Sequence, residues 1–135
     1  MKPHLFNPFV IPPIIKSNQE ANDIYNNVIK EVSIAMNKLE ALGMLREDIA
    51  MLLPLGMETT VVVRTNLRNM IDMSHQRLCT RAYWEYRQLM KDICKALSEY
   101  SEEWKWIVEN LMVPKCEVAG FCKEKKTCGR KPKKD

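Results

Sequence analysis

Residues 54–87, PLGMETTVVVRTNLRNMIDMSHQRLCTRAYWEYR, decide how this chain is read. After Pro54 comes a run rich in Thr59, Thr60, Val61, Val62 and Val63, β-branched residues that suit a pleated surface. A strand is therefore predicted over residues 57–65, and its unbroken valines predict burial on both faces. One strand cannot satisfy its own backbone N–H and C=O groups, so most of its sheet is expected from outside this chain. Asn66 then stands where an N-cap belongs, ahead of a helix whose inner face is Leu67, Met70, Ile71, Ser74 and Leu78. Thr80 is read as the cap of the next helix, with Ala82, Tyr83, Tyr86, Leu89, Met90, Ile93, Cys94 and Leu97 inward.

Upstream, the apolar residues 21, 24, 25, 28, 29, 32, 35, 36, 39 and 42 recur at three- and four-residue steps, which predicts one long helix over residues 17–43. Ser17-x-x-Glu20 reads as its capping box and Gly43 as its left-handed stop. Residues 1–16 carry Pro3, Pro8, Pro12 and Pro13 and show no helical period, so they are expected to form an extended, proline-rich arm. Residues 46–53 read as a short helix halted near Pro54, and residues 101–112 as a last helix stopped by Pro114. The expected fold is α+β and predominantly α-helical: a long N-terminal helix, one conspicuous strand, then two or three helices. Three parts are expected, the arm 1–16, a helical body 17–113 with one strand, and a basic cysteine-containing tail 114–135.

The 135 residues are 46% hydrophobic and 28% charged, the balance of one globular domain or a piece of one rather than a disordered chain. No apolar run approaches the roughly 20 residues needed to span a bilayer, and prolines break up the only N-terminal apolar stretch, so a cytoplasmic protein without a signal peptide is expected. The net charge of +4 is unevenly spread. From Pro114 onward eight basic residues face three acidic ones, a local charge of +5, which leaves about −1 for the body. Nucleic-acid binding by the body is therefore not expected, and any polyanion affinity would lie in the tail.

On the helix after Asn66, residues 68, 72 and 75 share a face, so Arg68, Asp72 and His75 point one way. Arg77, nine residues past Arg68, lies about 180° round at 100° per residue. One small ligand cannot touch both arginines. Either they serve different partners, or the helix lies where neighbouring subunits each receive one. Taken alone, Asn66 reads as a cap, Arg68 and Arg77 as solvated arginines, and His75 as a surface histidine.

The order Leu53-Pro54, Thr65-Asn66, Arg68, Arg77, Ala82 and Glu85 resembles the C-terminal half of the flavin-dependent thymidylate synthases, the thymidylate-synthase-complementing proteins. The resemblance implies FAD, with NADPH and methylenetetrahydrofolate as cosubstrates, and methylation of dUMP to dTMP in homotetramers whose active sites are shared between subunits. Carried over by position, Asn66 and Arg68 would contact the flavin and Arg77 the dUMP. Asp72 falls at a further flavin-side position, as an acid where the family commonly has an amide or histidine. The family's Arg-His-Arg-x-x-Ser segment does not occur in these 135 residues, Ala50 replaces a nucleotide-holding arginine, and the usual Ala-Gln-x-Glu is Ala82-Tyr83-Trp84-Glu85. The implied function is that of a truncated or split synthase, inactive alone and completed by like subunits or by a chain bearing the missing half. The alternative is a non-catalytic helical assembly protein derived from that family.

Cys116, Cys122 and Cys128 are spaced evenly among lysines. They could hold a metal if a fourth ligand came from elsewhere, or remain free thiols made more acidic by Lys123, Lys125 and Lys126.

Overall fold

The computed structural model describes residues 9–134. Pro3, Pro8, Leu5 and Phe6 of the expected arm lie outside the described residues. The chain divides into two compact units, Met1–Val62 and Val63–Asp135.

In the first unit, Pro13–Lys16 forms one helical turn, α1, where the sequence reads as extended. Pro13 occupies the first helical position, where its missing N–H costs nothing and its fixed φ is already helical. The Ser17 hydroxyl donates to the Ile14 carbonyl at 2.9 Å, so this serine finishes α1 instead of starting the long helix. The cap of that helix, α2 (Gln19–Ala41), is Asn18, whose side chain accepts from the Ala21 amide at 3.0 Å. Its 23 residues span about 35 Å. Gly43, at φ 78°, ends it as expected: its amide donates to the Glu40 carbonyl at 2.9 Å, and the Met44 amide donates to that of Leu39 at 3.1 Å. Helix α3 (Arg46–Ala50) buries Ile49. An antiparallel bridge joins Phe9 to Met57, and the Val10 amide donates to the Gly56 carbonyl at 2.8 Å.

The conspicuous strand is not formed. Beyond Met57, residues 58–66 have no regular structure and belong to no sheet. Val61, Val62 and Val63 are 70%, 94% and 70% exposed, the reverse of the predicted burial. β-branching supplies the extended backbone but not a partner, and the described residues offer this segment no second strand. Among the described residues the architecture is predominantly helical, with two isolated bridges and no sheet.

The second unit holds α4 (Leu67–Arg77), α5 (Trp84–Tyr100), α6 (Glu102–Asn110) and α7 (Lys115–Ala119). Asn66 caps α4 by accepting from the Asn69 amide at 2.9 Å. Thr80 does not cap α5; Tyr83 precedes that helix without a side-chain cap, and the Thr80 carbonyl instead accepts from the Arg87 guanidinium at 2.6 Å. Ser101 turns the chain in an extended conformation and caps α6 by accepting from the Trp104 amide at 3.2 Å. Pro114 ends that run and opens α7, which Gly120 closes at φ 77°. Helix α5 packs against α6 and α4, and α4 against α7. The core is small: Met90 and Met112 are fully buried, Cys122 nearly so, and Ser74 satisfies its buried hydroxyl by donating to the Ile71 carbonyl at 2.6 Å.

Candidate functional site

Helix α4 positions the residues singled out in the sequence. Its eleven residues put Arg68 in the first turn and Arg77 at the last position, on opposite sides of the cylinder. Both side chains are exposed, as are Asn66 and Asp72. Asn66 uses its side-chain oxygen on the Asn69 amide, which leaves the side-chain NH2 as a donor. It also borders an open cavity of about 340 Å³ whose walls include Val63, Thr65, Met70, Leu97 and Trp104. Arg68 and Asp72 do not line that cavity. The N-terminus of α4 adds a positive dipole end beside Arg68, a combination suited to anionic groups. The Asp72 carboxylate one turn on opposes it.

At the other end, Arg77 is held. Its guanidinium carbon lies 4.4 Å from the centre of the Tyr86 ring, a cation–π contact between the end of α4 and the first turn of α5. His75 Nε2 lies 3.1 Å from the Leu111 carbonyl and bonds to it in the tautomer that carries the proton there. That bond fixes the imidazole against the end of α6, so His75 is no free surface histidine.

The tail cysteines do meet. Cys116, Cys122 and Cys128 border one small cavity of about 50 Å³ together with Cys79, His75 and Arg81. Among the described residues, no three His, Cys, Asp or Glu side chains stand close enough together to hold a metal ion. Cys122 is buried, Cys116 half-buried and Cys128 exposed. The Thr80 hydroxyl, foremost, and then the Arg130 backbone and charge hold the Cys128 thiol below its ordinary pKa, whereas burial pushes the Cys94 thiol up.

Periodicity marks Tyr86 as inward-facing on its helix but does not show three encounters: Tyr86 beneath Arg77, Trp104 beside Asn66, and Cys79 beside the tail. Each depends on the turns at residues 78–83 and 101, which bring α5, α6 and the tail back to α4. The sequence signal for Cys79 is that it is one of two cysteines outside the tail, next to the end of α4.

A model of the family described as thymidylate synthase complementing protein matches residues 2–101 of this chain. Among curated proteins, the flavin-dependent thymidylate synthase of Pyrococcus furiosus is 28% identical over 117 residues, covering 87% of this chain and 48% of its own length. That of Pyrococcus horikoshii is 31% identical over 118 residues, again 87% and 48%. That of Nitratidesulfovibrio vulgaris is 28% identical over 140 residues, 92% of this chain and 53% of its own. The chain thus spans about half the length of the curated relatives it matches. No solved structure matches it significantly. No helix among the described residues is long and apolar enough to cross a membrane.

Proposed function

This chain belongs to the thymidylate synthase complementing protein family, and from that membership we propose that it is one part of a flavin-dependent thymidylate synthase, methylating dUMP to dTMP with methylenetetrahydrofolate and NADPH. FAD and dUMP occupy sites shared with another subunit, either a second copy or a chain carrying the Arg-His-Arg-x-x-Ser segment. Asn66 and Arg68 serve the flavin, and Arg77 serves the dUMP.

The observation that carries this reading is the opposition of Arg68 and Arg77 on α4. Two exposed guanidinium groups facing opposite ways suit two ligands at a junction between chains and do not suit one ligand in one pocket. The residues present fit a flavin in part. The Asn66 amide can donate to a ring or ribose, and Arg68 at a helix N-terminus can grip a diphosphate bidentately. The 340 Å³ cavity beside Asn66 is at the small end of the roughly 300–1,000 Å³ range of ligand pockets, room for a portion of a dinucleotide. Asp72 fits less well, because its carboxylate repels phosphate. The flavin supplies hydride transfer when bound; the chain's own residues bind and orient.

Incomplete burial supports the need for a partner. The chain exposes 10,809 Å², whereas two separate compact units of half its mass would together expose about 8,800 Å². The apolar groove of about 540 Å³ along α2, walled by Ile24, Val28 and Leu55, is surface of the same kind. That groove equally favours the second reading, a non-catalytic assembly protein that kept the packing surfaces and lost the chemistry.

The test is a flavin absorbance and fluorescence titration, with and without dUMP, on the wild type and Arg68→Ala, repeated in the presence of a chain carrying the missing half. Saturable binding weakened by Arg68→Ala supports the synthase reading. Assembly with the partner but no flavin binding in any mixture supports the assembly protein.

A further inference from the structure

Four of the five cysteines border one small cavity, and nothing in the flavin chemistry uses them. They differ in freedom. Cys116 is part of α7. Cys122 is buried and pinned, its amide donating to the Pro132 carbonyl at 2.7 Å beside a bridge to Lys133. Cys79 and Cys128 lie in segments without regular structure, the turn after α4 and the exposed end of the tail. The Thr80 hydroxyl, next in sequence to Cys79, is the foremost influence holding the Cys128 thiol below its ordinary pKa. These two thiols therefore share a cavity and lie outside the helices, where the backbone is not locked into a helical ladder.

We propose that Cys79 and Cys128 form a peroxide-sensitive dithiol whose oxidation ties the basic tail to the turn between α4 and α5. Arg81, Lys123 and Arg130 also line the cavity and add positive charge to it. The Cys128 thiolate attacks one oxygen of hydrogen peroxide, the O–O bond breaks, and the leaving hydroxide takes up a proton as water. The Cys79 thiolate then attacks the resulting sulfenic sulfur, the S–S bond forms, the S–O bond breaks, and a second water leaves. Two thiols lose two electrons in total, and one peroxide gains them. A dithiol reductant reverses the step. The tail's +5 charge would then be anchored beside the C-terminal turn of α4.

The test treats the reduced full chain with one equivalent of hydrogen peroxide and maps thiols and cross-linked peptides by mass spectrometry, without and with dithiothreitol. A reversible Cys79–Cys128 cross-link is expected. At pH 7, iodoacetamide should alkylate Cys128 about tenfold faster than the half-buried Cys94, and Thr80→Val should narrow that ratio. Cys79→Ser should leave Cys128 as a sulfenic acid that dimedone traps, and Cys128→Ser should abolish the cross-link. The proposal is overturned by a different first cross-link, by thiol loss unchanged in Cys128→Ser, or by a zinc ion that copurifies on the four thiols and shields them from peroxide.

Discussion

The Arg77 guanidinium sits over the Tyr86 ring at 4.4 Å, so the arginine proposed to bind the pyrimidine nucleotide is oriented by an aromatic residue of the next helix. Exposed cation–π contacts contribute roughly 0.5–1 kcal/mol. Tyr86→Leu is expected to lower stability by about that amount and to weaken dUMP binding in the completed assembly several-fold, with flavin binding unchanged. Tyr86→Phe keeps the ring and should keep the affinity. Nucleotide titrations of the two variants check this, and equal losses would show that the ring does not position Arg77.

Asn66 has two duties that substitution can separate. Its side-chain oxygen caps α4 through the Asn69 amide, and its NH2 is the donor proposed for the flavin. Asn66→Ala removes both and should cost about 1 kcal/mol of stability. Asn66→Asp keeps an oxygen for the cap and removes the donor, so thermal unfolding should stay near wild type while flavin affinity falls. If both variants bind flavin alike, Asn66 is a cap alone.

Helix α4 and its cap were legible because Asn66 and the spacing of Leu67, Met70, Ile71 and Ser74 act locally. The stop at Gly43 was legible for the same reason, since only a left-handed backbone completes that motif. Observed caps differ from the predicted ones where two candidates stand close together: Ser17 yields to Asn18 because Pro13 nucleates a turn that claims the serine. Thr80 fails as a cap because the chain keeps turning until Tyr83. The predicted strand fails for a different reason. Val61–Val63 encode an extended backbone, but a sheet is a property of two segments, and periodicity in one cannot report that the second is missing. Tyr86 under Arg77 and Cys79 beside the tail are tertiary encounters with no local pattern.

Close approach in the first unit makes Gly56 sensitive. A Cβ there would stand 2.5 Å from the Tyr25 hydroxyl and 3.4 Å from the Val10 carbonyl oxygen. The Tyr25 hydroxyl also donates to that carbonyl at 3.3 Å. Gly56→Ala should therefore destabilise the unit by about 1–3 kcal/mol. Adding Tyr25→Phe removes the clashing oxygen and should recover part of the loss. A double-mutant cycle by urea unfolding measures the coupling, and strict additivity would mean that the two groups do not meet.

At the start of α6, the Ser101 hydroxyl, first, and the backbone amide of Glu103 hold the Glu103 carboxyl below its ordinary value of 4.5. A depressed folded-state pKa adds stability that is present above 4.5 and lost as pH falls through the lower folded value. Because Glu103 is exposed, the effect should be a small loss of helicity on acidification. Circular dichroism of Glu103→Gln should lack that step below pH 4.5 while the other carboxylates still titrate. An identical acid transition in both proteins would remove Glu103 from the account.

Val62, at 94% exposure, makes the sharpest distinction between a chain complete in itself and one awaiting a partner. A valine already in water has nothing to lose, so Val62→Lys should change the stability of the isolated chain by no more than about 0.5 kcal/mol. If the extended segment pairs with a strand from another subunit, a lysine there places a charge within a buried sheet and blocks pairing. Co-purification with a chain carrying the missing half should then fall at least tenfold for Val62→Lys, while Val62→Ile should retain it. Undiminished assembly of Val62→Lys would mean that this segment stays in solvent and that the subunit contact lies elsewhere, with the apolar groove along α2 the next surface to substitute.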